Sequence, residues 1–405
     1  MADATRADAQ REVWITGIGI VSTLGEGSDA HWQALTSGAK KPLSEAFAPY
    51  AVHPLAPVNF DTQIPKKGDQ RQMEAWQRIG TYAAGLTLDS AGVKGNADIL
   101  SRMDMIVAAG GGERDMNVDA AILSGMPKAA QPAAFLNERL MSDLRPTLFL
   151  AQLSNLLAGN ISIVHGVTGS SRTFMGEEAA GIDAVRIALS RVAAGQSDIA
   201  LVGGAHNGER KDLVLLYDAG GHMLRGDFSP VWDRKNGGMA LGSLGAFLVL
   251  ESAEHAKARG AKPLGKLSAV HSDRSNRPEG AVKVTLSKMW QKISGKLRAG
   301  KLAVISGSTG AAKATAEERD FLKELGVPVR ATGTYIGHGF EPQFAMNIAL
   351  ATLTLKNQTL FPPSDASGLE QPMNGAPSQI VVTGVGHWRG EGIALVESAL
   401  VEAAG

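Results

Sequence analysis

Apolar residues along this chain gather in short continuous runs, each closed by a glycine turn, with longer amphipathic stretches between them. Three runs share the design: VWITGIGI (13–20), IALVGGAH (199–206) and IVVTGVGH (380–387). Runs with so little polar alternation suit strands covered on both faces. The stretches MEAWQRIGTYAAGLTLDSAG (73–92) and EEAAGIDAVRIALSRVAAG (177–195) read as helices. In the second, Ile182, Val185, Leu189 and Val192 recur at helical spacing, and Gly195 stands where a C-terminal cap belongs. Alternating strands and helices predict an α/β protein with largely parallel sheets. The first and last runs align without a gap, pairing Thr16 with Thr383, Gly17 with Gly384 and Gly19 with Gly386. That match reads either as an internal duplication or as a coincidence of apolar and glycine residues.

Composition narrows the function classes. The chain has 405 residues, 44% of them hydrophobic, enough for one large core or two fused ones. Lys+Arg and Asp+Glu number 40 each, and this balance argues against a general nucleic-acid binder. No apolar stretch approaches the ~18–20 residues that span a bilayer. MADATRADAQR lacks the apolar segment of a secretory signal, so a soluble cytoplasmic protein is expected. There is no cysteine, which excludes disulfides and thiolate metal sites. GIGIVS (17–22) lacks the third glycine and the downstream acid of a dinucleotide fingerprint, and GGGERD (110–115) and GVGHWRG (384–390) fail the same test. No Walker, GxSxG, HExxH or His/carboxylate metal pattern occurs, so neither a cofactor nor a metal is expected.

Longer stretches carry a resemblance. EVWITGIGIVSTLGEGSDAHWQALTSG (12–38), RPTLFLAQLSNLLAGNISIVHGVTG (145–169), SDIALVGGAHN (197–207), WDRKNGGMALGSLGAFLVLE (232–251), LAVISGSTGAAKATAEERDFLKELG (302–326) and GTYIGHGFEPQF (333–344) follow one family pattern in order. The chain resembles, over nearly its whole length, the β-ketoacyl-acyl-carrier-protein synthases of KAS I/II type. The resemblance implies a thiolase-like, five-layer αβαβα fold made of two related halves, here 1–252 and 253–405, and usually a dimer.

That family condenses acyl chains through a cysteine, which this chain lacks. The family pattern, matched forward at Gly166 and Gly169 and backward at Gly195 and Asp198, puts Glu178 in the thiol's position at the start of the predicted helix. A helix N-terminus lowers a thiol's pKa and stabilises a carboxylate equally well. Taken alone, Glu177 and Glu178 also read as an ordinary acidic first turn. By the same resemblance Gly307 takes the place of the first catalytic histidine, Gly333 that of the lysine, and His338 retains the second histidine. Thr309 keeps the threonine that contacts pantetheine, whereas its second partner has become Ala311. The gating and oxyanion loop lies over 384–390, with Val385, Gly386 and Trp388 at its positions in a register open by one residue and no Phe at either gating position. Phe340, Phe344 and Trp388 replace small residues and are expected to fill part of the acyl tunnel.

With nucleophile, one histidine and lysine gone, Cys-dependent condensation is not expected. The resemblance implies a non-condensing partner, similar to chain-length-factor subunits, for a Cys-containing ketosynthase of fatty-acid (including very-long-chain) or polyketide biosynthesis. It would act as a heterodimer or homodimer, with acyl carrier protein as a further partner. A malonyl-carrier-protein decarboxylase, and a hydrolase with Glu178 as base and His338 as helper, are the alternatives. Lys66, Lys67, Arg71 and Arg78 read either as a carrier-protein docking patch or as solvated surface.

Overall fold

The structure, a computed structural model, describes residues 10–38 and 43–399. Its main sheet is assembled from β1 (Val13–Ser22), β2 (Asp104–Ala108), β3 (Ser171–Phe174), β4 (Ile199–His206), β5 (Leu244–Ser252), β6 (Gly265–Asp273), β7 (Leu302–Ser308), β8 (Val329–Ala331), β9 (Gln379–Val385) and β10 (Glu391–Glu397). The strands fall into two sets, ordered β3-β2-β4-β5-β1 and β8-β7-β9-β10-β6. In each set the first three strands are parallel and the last two antiparallel to their neighbours. One order with one polarity, used twice, describes two copies of a single unit. A short antiparallel contact, Trp14 opposite Lys266 and Ile15 opposite Gly265, joins them.

Two expectations are corrected. The sheets are mixed rather than largely parallel: β9 and β10 are linked only by the loop 386–390, and a connection that short turns the chain back antiparallel. The gapless match of 13–20 with 380–387 does not join equivalent strands. The counterpart of β9 is β4, and that of β1 is β6, by position in the two sets.

Helices complete five layers. α1 (Ala75–Ser90) and α2 (Leu156–His165) cover the outer face of the first set, and α5 (Ala281–Ile293) and α6 (Ala312–Leu325) that of the second. α3 (Glu177–Ala193) and α7 (Gln343–Lys356) lie between the sheets, and α4 (Lys211–Ala219) follows β4. α7 is buried from Gln343 to Leu355, as expected of FAMNIALATLTL, apolar on every side. α3 buries Ile182, Val185 and Val192, and Gly195 just beyond it has the left-handed φ of 74° that a helix stop favours. Gly19 of β1 serves packing: a Cβ there would lie 2.3 Å from the Ala83 carbonyl of α1. No helix among the described residues is long and apolar enough to cross a membrane.

Candidate functional site

A buried acid–base cluster forms where α3 begins between the two sheets. Gly176 and Glu177 both take positive φ, 127° and 55°, which swings the next residue inward. A non-glycine residue in that region holds strain of order ~1–3 kcal/mol, found most often where a site fixes the backbone. The residue thus presented is Glu178, 5% exposed. Its Oε1 accepts hydrogen bonds from His338 Nε2 at 2.8 Å, His387 Nδ1 at 3.1 Å and the His387 backbone N–H at 3.2 Å.

Electrostatics couple Glu178 and His387. Burial alone would raise the pKa of Glu178, but the hydrogen bonds and positive field of His338 and His387 outweigh it and hold the carboxyl well below 4.5. Burial alone would lower His387; the hydrogen bond and charge of Glu178, with Glu177 behind it, raise it above 6.5 instead. The site therefore pairs a carboxylate with a histidine whose protonated form that carboxylate favours. Glu177 forms the outer layer, accepting from Tyr217 Oη at 3.0 Å and Trp388 Nε1 at 2.6 Å. Burial first, then Glu177, pushes the Tyr217 phenol up, so it stays a donor. Glu177, Glu178 and His387 lie close enough to consider a metal, but the carboxylate oxygens and His387 Nδ1 already engage one another, Tyr217 or Trp388.

Phe340 seals the centre. It is buried, carries a positive φ of 52°, and meets the rings of His338 at 4.6 Å, Tyr217 at 4.8 Å and His206 at 5.0 Å. The space left among Glu178, His338, Phe340, Phe344, Asn347 and Val385 is about 10 Å³, at the lower limit for a single water.

The other positions singled out in the sequence are distributed around this cluster. Gly307 lines the residual cavity, and a Cβ on it would lie 2.7 Å from the Thr383 carbonyl and 3.1 Å from Asn347 Nδ2. Gly333 is buried against Ser308 and Val231 and brings no cation to the site. Thr309 is buried and its hydroxyl accepts from the Ala311 N–H at 3.0 Å. Gly386 is held in its loop by its N–H to Gly390 O at 2.8 Å, and its carbonyl accepts from Arg277 Nη2 at 2.8 Å. Phe340 and Phe344 are buried as expected, but Trp388 is 48% exposed and fills no tunnel. Its ring lies under the Arg389 guanidinium at 4.1 Å while its N–H reaches Glu177, which places it on the surface. Lys66, Lys67 and Arg71 are exposed, Lys67 against Asp61. Sequence reasoning missed His387 as the partner of Glu178, 209 residues away, and Tyr217 beneath Phe340.

Comparison with known proteins gives the same frame. The family described as "Beta-ketoacyl synthase, N-terminal domain" matches residues 10–256. The chain is 24% identical over 271 residues to 3-oxoacyl-[acyl-carrier-protein] synthase 2 of Vibrio cholerae, covering 63% of this chain and 61% of that relative. It is 28% identical over 274 residues to the oxytetracycline polyketide putative β-ketoacyl synthase 1 of Streptomyces rimosus, covering 64% and 62%. The matched regions thus span under two thirds of these curated relatives. Among solved structures, the ishigamide ketosynthase/chain length factor superposes with a TM-score of 0.78 at 19% identity, covering 96% of this chain and 100% of that one. A β-ketoacyl synthase from Burkholderia phymatum gives 0.75 at 19% identity, covering 96% and 99%. At such identities these structures speak for the fold alone.

Proposed function

This chain belongs to the β-ketoacyl synthase family, and on that premise we propose that it is a non-condensing partner subunit for a Cys-containing ketosynthase. The observation that supports the reading is the closed site: Glu178, which the family pattern sets at the nucleophile position, is a buried carboxylate bonded to two histidines beside Phe340. A buried anion with no room beside it offers neither a thiolate to acylate nor space for an acyl chain. The same closure weighs against malonyl decarboxylation and against hydrolysis, because both need substrate within reach of Glu178 or His338.

A surface suited to a partner lies at the end of the first set of strands. β3 pairs with β2 on one side, and its other edge has no strand partner among the described residues. Met175, next after β3, and Ile163, on the helix α2 that packs against it, are exposed by 64% and 73%. An open sheet edge flanked by apolar side chains is a template for adding another chain. In this reading the acyl carrier protein serves the assembled pair, the product being a fatty-acid or polyketide chain, and the pair works in the cytoplasm.

The test is co-expression with a Cys-containing synthase of the same organism, followed by native mass spectrometry. A one-to-one complex whose condensing activity depends on both chains is expected. Recovery of this chain only as a monomer or homodimer, with the synthase fully active alone, sinks the reading.

A further inference from the structure

A second pocket, of about 520 Å³, is lined by the rings of Trp76, Tyr217 and Phe340, by the turn 110–112 and by Glu341, among others. Phe340 lines both this pocket and the small cavity beside Glu178, but Glu178 takes no part in its wall. Glu341 is the member without a partner. The residue is 4% exposed, yet among the described residues no donor reaches its carboxylate. His206 Nδ1 stands 3.7 Å from Oε2, too far for a hydrogen bond. The carboxylate faces the pocket wall: a Cβ on Gly110, which also lines the pocket, would lie 2.9 Å from Oε1 and 3.5 Å from Oε2. Neither oxygen is sealed from solvent. A largely buried carboxylate without a counter-charge is costly in a folded protein, and supplying a cation relieves that cost.

The rest of the lining leaves that cation to come from outside. Arg114 is held by Asp119, through Nε at 2.6 Å and Nη2 at 3.0 Å. Arg210 donates to Asp212 from Nε at 3.1 Å and from Nη2 at 2.5 Å, and to the Gly112 carbonyl at 2.8 Å. Both arginines thus carry their own counter-ions. Glu177, the other acid nearby, accepts from Tyr217 and Trp388. Inside the pocket the field is negative at Tyr217: burial first, then the charges of Glu177, Glu178 and Glu341, push its phenol up.

We propose that this pocket binds a small primary amine, its ammonium donating to the Glu341 carboxylate and its carbon stem lying against the aromatic wall. An ammonium-to-carboxylate hydrogen bond is charge-assisted, and aromatic faces attract a cation further. One free carboxylate is too few ligands to hold a metal ion. A carboxylate ligand would set a like charge beside Glu341. The volume falls in the range of small-molecule sites. Nothing in this inference depends on the partner-subunit reading, and either can fail alone.

Isothermal titration calorimetry on the full chain, at neutral pH and with ionic strength held constant by KCl, tests it. Pentylamine, pentanol and pentanoate are the probes, one carbon stem carrying in turn a positive, a neutral and a negative end. Saturable binding of pentylamine is expected, with the other two at least about tenfold weaker, since a charge-assisted hydrogen bond is worth about a factor of ten or more. Glu341→Gln keeps the side chain's shape and removes its charge, and should weaken pentylamine by about tenfold or more. Leu216 also lines the pocket and is 62% exposed. Leu216→Arg therefore serves as a second, surface variant, which should weaken pentylamine severalfold while leaving the melting temperature in place. No heat above the KCl control, pentanol or pentanoate binding as tightly as pentylamine, or undiminished affinity in either variant overturns the proposal.

Discussion

Glu178 shows how much of a residue's character is set by partners remote in sequence. Its carboxylate is stabilised by His387, and each group shifts the other. The depressed Glu178 contributes stability that is present above its unfolded value near 4.5 and is lost as the pH falls through its lower folded value. The raised His387 contributes stability that is full below its unfolded value near 6.5 and is lost as the pH rises through its higher folded value. The pair should therefore stabilise most between about pH 4.5 and 6.5. Glu178→Gln should cost about 1–3 kcal/mol in that window. It should also lower the His387 pKa, read by NMR titration of the ring, and flatten the pH dependence in urea denaturation. Phe340→Ala, which empties the ring's place, should cost about 3–5 kcal/mol in the same denaturation experiment. That Glu178 opens a helix was legible, because an acidic pair precedes an amphipathic run. Its partner His387 was not, because no local pattern links residues 209 apart.

At the scale of elements, α3 couples the candidate site to the fold. Gly181 lies within it, and a Cβ there would fall 2.1 Å from the Glu341 carbonyl. Helix propensity favours alanine over glycine by ~1 kcal/mol. Contact with rigid backbone reverses that sign, so Gly181→Ala should lower the melting temperature and loosen the Glu178–His387 pair, visible as a shift of the His387 resonance. Helices and strands with strong apolar patterns, such as 199–206 and 177–195, were legible because burial alone dictates them. The kinship of strands was harder to see. The runs 13–20 and 380–387 look alike because both lie in sheets covered by helices, a requirement that filters many strands to similar residues.

The whole molecule combines the family fold with a filled centre, and the partner-subunit proposal is tested at its surface. Ile163→Glu and Met175→Glu sit on exposed positions, where substitutions usually change stability by less than about 0.5 kcal/mol. They should leave the melting curve in place while abolishing complex formation with the synthase in native mass spectrometry. The filling of the centre also limits what Gly307 can accept: a side chain there would meet the Thr383 carbonyl at 2.7 Å, so a histidine needs the surroundings to shift. Glu178→Cys with Gly307→His should give a thiol that alkylates in the unfolded chain but stays unreactive in the folded one. On the partner-subunit reading, restoring a reactive thiol would take repacking around Phe340 as well as the two substitutions, since the cavity beside Glu178 is only about 10 Å³.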